Sequence, residues 1–188
     1  MVLWLKNLPG RIYRKIKSLF NREKTWQDIE YFHENLKGRI STIAGFIDQN
    51  TSVMDLGCGK MWLKKYLPQN CKYIPVDYRK RSPECIVADF NKKQFPSYKA
   101  DVLFISGCLE YVKDYSWFIS ELCTHGNRII ISYCTTDKFP DRVTRKGYAW
   151  VNDLSTKEII SLFEYHSFHL QQIAYAQKGE EIFIFNKP

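Results

Sequence analysis

The sequence predicts an α/β protein with a doubly wound, mostly parallel sheet of seven strands, a C-terminal antiparallel hairpin and an N-terminal helical extension. From residue 52 onward, short apolar runs typical of buried strands alternate with segments of helical periodicity, which is the order of a parallel sheet covered on both faces. Near the C-terminus, two strand patterns are separated only by a Lys-Gly-Glu turn signal, which predicts the hairpin. With 188 residues, 45% of them hydrophobic, the chain suits one domain with its own core.

The predicted elements follow in chain order. Residues 25–47 carry apolar side chains every three or four positions, which predicts one or two amphipathic helices with Gly38 as a candidate break. The predicted strands are 52–56, 72–76, 85–89, 101–107, 128–134, 168–177 and 180–186. Predicted helices lie at 61–67, 115–124 and 155–166, and the last opens with Ser155 and Glu158 at the spacing of a capping box. Residues 25–188 are therefore predicted to form a single domain.

Residues 1–24, called here the basic arm, carry most of the charge. The formal net charge is +8, and the arm holds seven basic residues against Glu23 alone, so the rest of the chain is nearly neutral. From Pro9, apolar residues such as Ile12 and Ile16 recur at helical spacing. Such a helix can lie on an anionic membrane or a partner, or it can dock on its own domain with a solvated basic face.

Composition narrows the class of protein. The six cysteines include no C-x-x-C pair, so no zinc or redox motif is predicted, and we expect reduced thiols in a cytoplasmic protein. No apolar run is long enough to span a bilayer, and the N-terminal residues lack the pattern of a secretory signal.

The stretch VMDLGCG at 53–59 carries the first chemical signal. A predicted strand reaches Asp55 and then turns on Gly57 and Gly59. In open α/β sheets, ligands bind beyond the carboxyl ends of the strands, and glycines there let a ligand approach the backbone. A dinucleotide fingerprint needs a third glycine where Trp62 stands, so a pyrophosphate cofactor is not expected.

Four segments, taken together, are similar to the motifs of one family. VMDLGCGK resembles the first motif of the class I S-adenosylmethionine-dependent methyltransferases. IPVD at 74–77, VADF at 87–90 and DVLFISGCLEYVKD at 101–114 resemble later motifs of that family, in the expected order. The resemblance implies a Rossmann-like fold, S-adenosylmethionine as the cofactor and an enzyme that transfers a methyl group. The bulky residues 60–62 depart from the family pattern, which more often has a glycine or small residue nearby.

The resemblance also assigns a cofactor site. The glycines would face the methionine part with Asp55 behind them, Asp77 would bind the ribose hydroxyls, and Asp89 would accept from the adenine amino group, with Phe90 or Tyr78 over the ring. The residues predicted to hold the cofactor are Asp55, Gly57, Cys58, Gly59, Asp77, Tyr78, Asp89, Phe90, Ser106, Gly107 and Leu109.

The acceptor side is expected to come from the N-terminal helices and from the loops after the fourth and fifth strands. The predicted catalytic residues are Glu110, Tyr111 and His33. The predicted substrate-binding residues are Tyr133, Arg142, Arg145 and Trp150. Cations beside aromatic rings in 135–154 suit an anionic group on a sugar or another ring-shaped substrate. The alternative is a solvated loop whose aromatic rings pack on the sheet.

The function predicted from these features is O-methylation of a sugar, of a lipid-linked glycan intermediate or of a small molecule. No N-P-P-Y motif follows the fourth strand, which argues against methylation of amino groups on bases, and no metal-ligand cluster is present, so no metal is expected. A non-catalytic cofactor-binding scaffold and a nucleic-acid methyltransferase are the alternatives. The nearly neutral body argues against a long phosphate-binding surface. The expected location is the cytoplasm, with the basic arm on the inner face of the membrane.

Overall fold

The structure is a computed structural model that describes residues 36–177 and 179–188, together with Thr25, Gln27, Glu30, Phe32 and Glu34. The chain forms two units, Met1–Glu30 and Tyr31–Pro188. The basic arm and the predicted helix over 25–35 lie largely outside the described residues. The predicted domain boundary after residue 24 therefore stays a prediction.

One mixed sheet of seven strands runs through the second unit. The strands are β1 (Ser52–Leu56), β2 (Lys72–Asp77), β3 (Ile86–Val87), β4 (Ala100–Ser106), β5 (Gly126–Tyr133), β6 (His169–Gln177) and β7 (Glu180–Asn186). Their order in the sheet is β3-β2-β1-β4-β5-β7-β6. Strands β1 to β5 pair in parallel, whereas β7 is antiparallel to both β5 and β6. The predicted parallel sheet with a C-terminal hairpin is confirmed.

Four α-helices occur in the described part of the chain, with short 3₁₀ turns at Trp62–Lys65, Phe90–Lys92 and Leu109–Tyr111. They are α1 (Leu36–Ala44), α2 (Tyr115–His125), α3 (Arg142–Gly147) and α4 (Thr156–Glu164). The predicted capping box at the start of α4 is present, because Ser155 and Glu158 cap each other's backbone N–H groups.

The two faces of the sheet bury separate apolar clusters. On one face, Ile43 of α1 packs with Val102, Phe104 and Ile184. On the other face, α2 and α4 contribute Phe118 and Phe163 to a larger cluster. Since successive strand residues point to opposite faces, strands that are apolar at every position require this coverage on both sides.

Three details of the sequence prediction were wrong. Gly38 does not break a helix but lies in the first turn of α1. The predicted third strand over 85–89 is only the two residues of β3, which pair with the end of β2. The stretch 135–154 is not all loop, because its centre forms α3.

The strand order reverses between β1 and β4. Chain connections leave these neighbouring strands toward opposite sides of the sheet, so their carboxyl ends border an open crevice. Most of the predicted cofactor residues lie at or just after the ends of β1, β2 and β4, around this position, whereas Asp89 and Phe90 follow the edge strand β3.

Candidate active site

The turn after β1 can be made only with glycine at two positions. Gly57 has φ 81° and Gly59 has φ 49°, both in the left-handed region. The N–H groups of Gly57 and Cys58 both donate to the carbonyl oxygen of Val76, at 2.9 Å. A Cβ atom on Gly57 would lie 2.8 Å from Sγ of Cys108. Glycine at position 57 therefore lets Cys108 pack directly against the turn.

Asp77, at the end of β2, is bonded to this turn. Its Oδ2 accepts a hydrogen bond from the Gly59 N–H at 2.9 Å. Its Oδ1 accepts from the Arg79 N–H at 3.1 Å and lies 3.0 Å from Nε of Arg81. The side chain is buried, at 4% exposure. One carboxylate thus fixes the glycine turn at the position where the sequence predicts a ribose site.

Asp55 lies behind the turn in the last part of β1. Its Oδ2 accepts a hydrogen bond from the hydroxyl of Tyr73 at 2.7 Å. Burial raises the pKa of Asp55 to about 7, because the tyrosine hydrogen bond only partly offsets the desolvation of the charge and the neighbouring Asp77 raises the pKa further. Asp55 therefore changes charge near neutral pH and can respond to a cation bound at the turn.

The predicted adenine site is only partly available. Asp89 caps the 3₁₀ turn that follows it, with Oδ1 accepting from the Asn91 N–H at 3.0 Å. Phe90 is buried in the core, with its ring 4.7 Å from that of Phe118. Covering of a ligand ring thus falls to half-buried Tyr78, whose own ring lies 5.4 Å from the guanidinium of Arg81.

Two side chains from the N-terminal side lie against the glycines. A Cβ atom on Gly59 would meet the ring of Phe32 at 2.5 Å, and one on Gly107 would meet the guanidinium of Arg39 at 2.8 Å. The Phe32 ring also packs edge-on against Trp62, with centroids 6.2 Å apart. A cofactor at the turn would therefore contact or displace Phe32 and Arg39.

The end of β4 contributes backbone more than side chains. Gly107 has φ 63°, and its N–H donates to Oγ of Ser132 at 3.3 Å. Ser106, just before it, has a buried Oγ without a protein partner. Leu109 is fully buried in the core, so only its backbone can border the crevice.

Glu110 and Tyr111 follow β4 directly. Glu110 is 2% exposed; its Oε1 accepts from the Cys134 N–H at 3.3 Å, and its Oε2 is buried without a partner. Burial raises the pKa of Glu110 to about 7, and the pKa of Tyr111 to about 12. The Tyr111 hydroxyl accepts from Nε1 of Trp150 at 3.3 Å, so these two predicted residues lie together. Of the two, Glu110 is the better proton acceptor at neutral pH.

Arg145 and Tyr133 do not face a substrate. Arg145 is 1% exposed, and its Nη1 donates to the carbonyl oxygens of Cys134 at 2.6 Å and Phe139 at 3.2 Å. Its Nη2 donates to the Tyr133 hydroxyl at 3.1 Å, and its Nε forms an ion pair with Asp153 at 2.5 Å. Tyr133 is fully buried. These contacts make both residues internal supports of the segment, which corrects their assignment to substrate binding.

The remaining residues predicted on the acceptor side are Arg142, Trp150 and His33. Arg142 is exposed at the start of α3, and Trp150 is half-buried, with its ring 5.6 Å from that of Phe139. His33 lies outside the described residues.

Sequence reasoning missed two charged residues at the crevice. Nη1 of Arg39 lies 3.1 Å from Oε1 of Glu180, which is 1% exposed at the start of β7. Arg39 is four positions before Ile43, so helical spacing puts it on the buried face of α1. That spacing was a usable signal, whereas an acid before an apolar strand is ordinarily a solvated residue.

Comparison with known proteins places the fold. No family model and no curated protein matches the sequence. Among solved structures, the pyocyanin biosynthetic protein PhzM matches 98% of this chain and 61% of its own, at 12% identity and a TM-score of 0.63. CalO1, a methyltransferase in calicheamicin biosynthesis solved with S-adenosylhomocysteine, matches 93% of this chain and 58% of its own, at 13% identity and a TM-score of 0.65.

A third similar structure is closer in length. It is the 1,6-didemethyltoxoflavin-N1-methyltransferase of Burkholderia thailandensis, solved with 1,6-didemethyltoxoflavin and S-adenosylhomocysteine. It matches 93% of this chain and 85% of its own, at 14% identity and a TM-score of 0.62. The chain therefore has the Rossmann-like fold of the class I methyltransferases, and it spans about three fifths of PhzM and CalO1.

Proposed function

We propose that this protein is an S-adenosylmethionine-dependent methyltransferase that acts on a small-molecule acceptor. The observation that carries the proposal is the turn of Gly57 and Gly59, which a buried Asp77 fixes at the carboxyl ends of β1 and β2. The fold is that of methyltransferases, and the four sequence motifs lie around one crevice of it.

The residues present fit this cofactor. Without side chains, Gly57, Gly59 and Gly107 let Cys108, Phe32 and Arg39 pack closely against the strand ends. The Phe32 ring and the Arg39 guanidinium are the groups that a cofactor at the turn would contact or displace. Asp77 supplies an acceptor for hydroxyl groups, and the ionised form of Asp55 favours a cationic ligand. Bound there, the cofactor supplies an activated methyl group on a sulfonium sulfur.

The protein's own contribution is positioning and proton removal. Methyl transfer from an activated donor gains most from alignment of the reacting groups, which the rigid strand ends provide. An oxygen or nitrogen acceptor must also lose a proton, and Glu110 is the residue we assign to accept it. Tyr111 and Trp150 would line the acceptor side through their mutual hydrogen bond.

The finer acceptor assignment remains our sequence prediction: O-methylation of a sugar or of a lipid-linked glycan intermediate. Of the cations that suggested an anionic acceptor group, Arg142 is exposed and available, whereas Arg145 is buried. The basic arm would bring the enzyme to an anionic membrane surface. It lies outside the described residues, so this role is supported by its charge and apolar spacing alone.

The proposed cofactor site is tested by replacing Asp77. The D77A variant should bind S-adenosylhomocysteine about 1.5–3 kcal/mol more weakly, the range for hydrogen bonds to a charged group. D77N keeps an oxygen for the Gly59 N–H but loses the charge, so it should fall between D77A and the wild type. Calorimetry measures the affinities, and far-ultraviolet circular dichroism checks the fold.

The matched control is Asp48→Ala, because this exposed residue precedes β1 at the opposite edge of the sheet. D48A should bind S-adenosylhomocysteine like the wild type. Unchanged affinity in a folded D77A variant would remove Asp77 from the site. If the cofactor binds but no acceptor is ever methylated, the non-catalytic alternative is favoured.

A further inference from the structure

Two buried glutamates meet beyond the ends of β4 and β5. Tyr133 pairs with Glu181 in the antiparallel β5–β7 ladder, so the next residues outward, Cys134 and Glu180, are neighbours. The N–H of Cys134 donates to Oε1 of Glu110 at 3.3 Å. Glu110 and Glu180 are 2% and 1% exposed. Glu110, in the 3₁₀ turn after β4, and Glu180, at the start of β7, therefore both lie beside Cys134, close enough for the charge of Glu180 to raise the pKa of Glu110.

Two side-chain oxygen atoms at or just after the end of β4 have no hydrogen-bond partner in the part of the chain that the structure describes. They are Oε2 of Glu110 and Oγ of Ser106, and both are buried. Ser106 ends β4 and pairs with Ser132 of β5, which places it on the same edge. A buried polar atom without a hydrogen bond is costly, and such atoms in a native protein call for a ligand or an ordered water.

The cluster formed by Glu110, Glu180, Ser106 and Arg39 contains two acids and one cation. Nη1 of Arg39 lies 3.1 Å from Oε1 of Glu180, so this cation is paired with a carboxylate, although its Nε is buried without a hydrogen-bond partner among the described residues. Since the cluster nevertheless holds two acids against one cation, Glu110 is left as the unmatched acid. Burial raises its pKa to about 7; the charge of Glu180 raises it further, and that of Arg39 lowers it. Burial also raises the pKa of the adjoining Cys134 thiol, so that group stays neutral.

The cluster borders the proposed methyl donor. Gly107 directly follows Ser106, and the Arg39 guanidinium lies 2.8 Å from the position of a Cβ atom on Gly107. Two surface cavities, of about 590 Å³ beside Phe95 and about 490 Å³ beside Tyr165, lie on other parts of the molecule. Ser106 therefore lies next to the glycine that the proposal places beside the methyl donor, and Glu110 follows three residues after that glycine.

Building on the proposed methyltransferase function, we propose that Glu110, Glu180 and Ser106 form the acceptor subsite, and that it takes an uncharged hydroxyl or amino group and excludes anionic groups. The acceptor O–H or N–H donates to Oε2 of Glu110, and Oγ of Ser106 bonds the same group. Glu180 is a positioning residue, which orients Arg39 and sets the charge that Glu110 experiences.

In the methyl transfer proposed for this subsite, one bond forms and one bond breaks at the methyl carbon. The lone pair of the acceptor oxygen or nitrogen forms a bond to the methyl carbon. The bond from that carbon to sulfur breaks, and its electron pair stays on sulfur, which becomes a neutral thioether. The acceptor proton passes to Oε2 of Glu110 and is later released to water. No oxidant, reductant or metal is consumed.

The preference for uncharged groups follows from the same charges. An anion placed at Oε2 of Glu110 would face the carboxylates of Glu110 and Glu180, with Arg39 already paired. Like charges repel most where water is excluded. An uncharged hydroxyl avoids this repulsion and satisfies both unpartnered oxygen atoms. Any anionic part of an acceptor must therefore lie farther out, for example toward exposed Arg142.

Carbon-13 NMR of the Glu110 carboxyl group, in the full chain, tests the proposed acceptor subsite. Protein labelled at the glutamate carboxyl carbons is saturated with S-adenosylhomocysteine, and the Glu110 signal is assigned by its loss in E110Q. Ethylene glycol and glycolate are the probes, because they differ by one carboxylate. We expect a saturable shift of the Glu110 signal with ethylene glycol and a shift at least tenfold weaker, at equal concentration, with glycolate.

The variant E180Q distinguishes a positioning role of Glu180 from a purely structural one. E180Q removes a like charge near Glu110 while keeping its shape, so the titration of the Glu110 signal should move to lower pH. The matched control, E84Q, removes an exposed acid that pairs with Lys64 and should leave the titration unchanged. No movement in E180Q would overturn the role of Glu180. A Glu110 signal that ignores ethylene glycol, or prefers glycolate, would overturn the subsite.

Calorimetric titration of the same samples with S-adenosylhomocysteine distinguishes failure of the acceptor subsite from failure of the methyltransferase proposal. If S-adenosylhomocysteine binds and the Glu110 signal does not respond to ethylene glycol, the acceptor subsite fails and the cofactor site stands. If S-adenosylhomocysteine does not bind but ethylene glycol still shifts Glu110, the methyltransferase proposal fails and the hydroxyl-binding site stands.

Discussion

At the scale of single residues, burial sets the chemistry of the crevice. Asp55 and Glu110 both have pKa values raised to about 7, mainly by loss of solvent around the carboxyl group. Asp55 lies in β1 behind the glycine turn, and Glu110 lies in the 3₁₀ turn that follows β4. Each is therefore poised to gain or lose a proton in the range where the protein would work.

The raised pKa of Asp55 predicts a pH-dependent affinity for S-adenosylmethionine. The sulfonium favours ionised Asp55, so below about pH 7 binding must release a proton, and the affinity should rise with pH up to about 7 and then level off. Calorimetry at pH 6 in two buffers of different ionisation enthalpy measures the proton release. D55N should abolish it and E110Q should keep it; the reverse pattern would assign the proton to Glu110.

Local pattern and distance along the chain explain which residues of the crevice could be predicted from the sequence. The turn at Gly57 and Gly59 was predictable as a local structure because a strand, an acid and a left-handed turn leave a local pattern, and the cofactor role of these glycines and of Asp77 stays a prediction. Arg39 and Glu180 were missed because they meet through α1 and β7, which are 141 residues apart in the chain. Phe90 was predicted to cover the adenine, although an aromatic ring beside an apolar core packs inward as readily.

At the scale of elements, the strands were predicted well and the segment 135–154 was not. Buried strands are continuous apolar runs, and that pattern located the central strands, while the turn signal located the hairpin of β6 and β7. The third strand was predicted too long, because β3 has only two residues, one half-buried and one exposed. Helix α3 has six residues and no apolar stripe, so its periodicity could not be detected. Arg145 was assigned to a substrate because cations beside aromatic rings suit an anionic group, yet here backbone carbonyls and Asp153 occupy its guanidinium.

Arg145 and Arg142 offer a matched pair, three residues apart on one helix. R145A should lower the free energy of unfolding by about 3–5 kcal/mol, because it removes a buried cation and leaves several carbonyl oxygens without donors. R142A removes an exposed cation and should change it by less than about 0.5 kcal/mol. Urea denaturation measures both. Equal stabilities would return Arg145 to the list of substrate-binding residues.

At the scale of the whole molecule, most of the net positive charge and the proposed site residues lie in different parts of the chain. The crevice is formed by strands of the unit Tyr31–Pro188, whereas the basic arm belongs to Met1–Glu30. None of the helices that the structure describes has the length and apolar character needed to cross a bilayer. Attachment of the basic arm to a membrane surface is our proposal, and it is supported by the charge and apolar spacing of the arm.

Removal of residues 1–24 tests the proposed role of the basic arm. Each basic residue near an anionic bilayer contributes about 1 kcal/mol, and salt screens this attraction over about 10 Å at 0.1 M. The full chain should sediment with phosphatidylserine vesicles at low salt, and the shortened chain should not, with unchanged affinity for S-adenosylhomocysteine. If the shortened chain loses the cofactor instead, and the full chain ignores vesicles, the arm is a lid over the crevice.

The central claim is that the crevice at the ends of β1, β2 and β4 binds S-adenosylmethionine. Calorimetric titration of the full chain with S-adenosylmethionine tests it most directly, with circular dichroism on the same sample to show that the chain is folded. We predict saturable binding of one molecule per chain, which S-adenosylhomocysteine displaces and Asp77→Ala weakens. A folded wild-type chain that gives no binding heat at any of several temperatures, and no competition, would contradict the account.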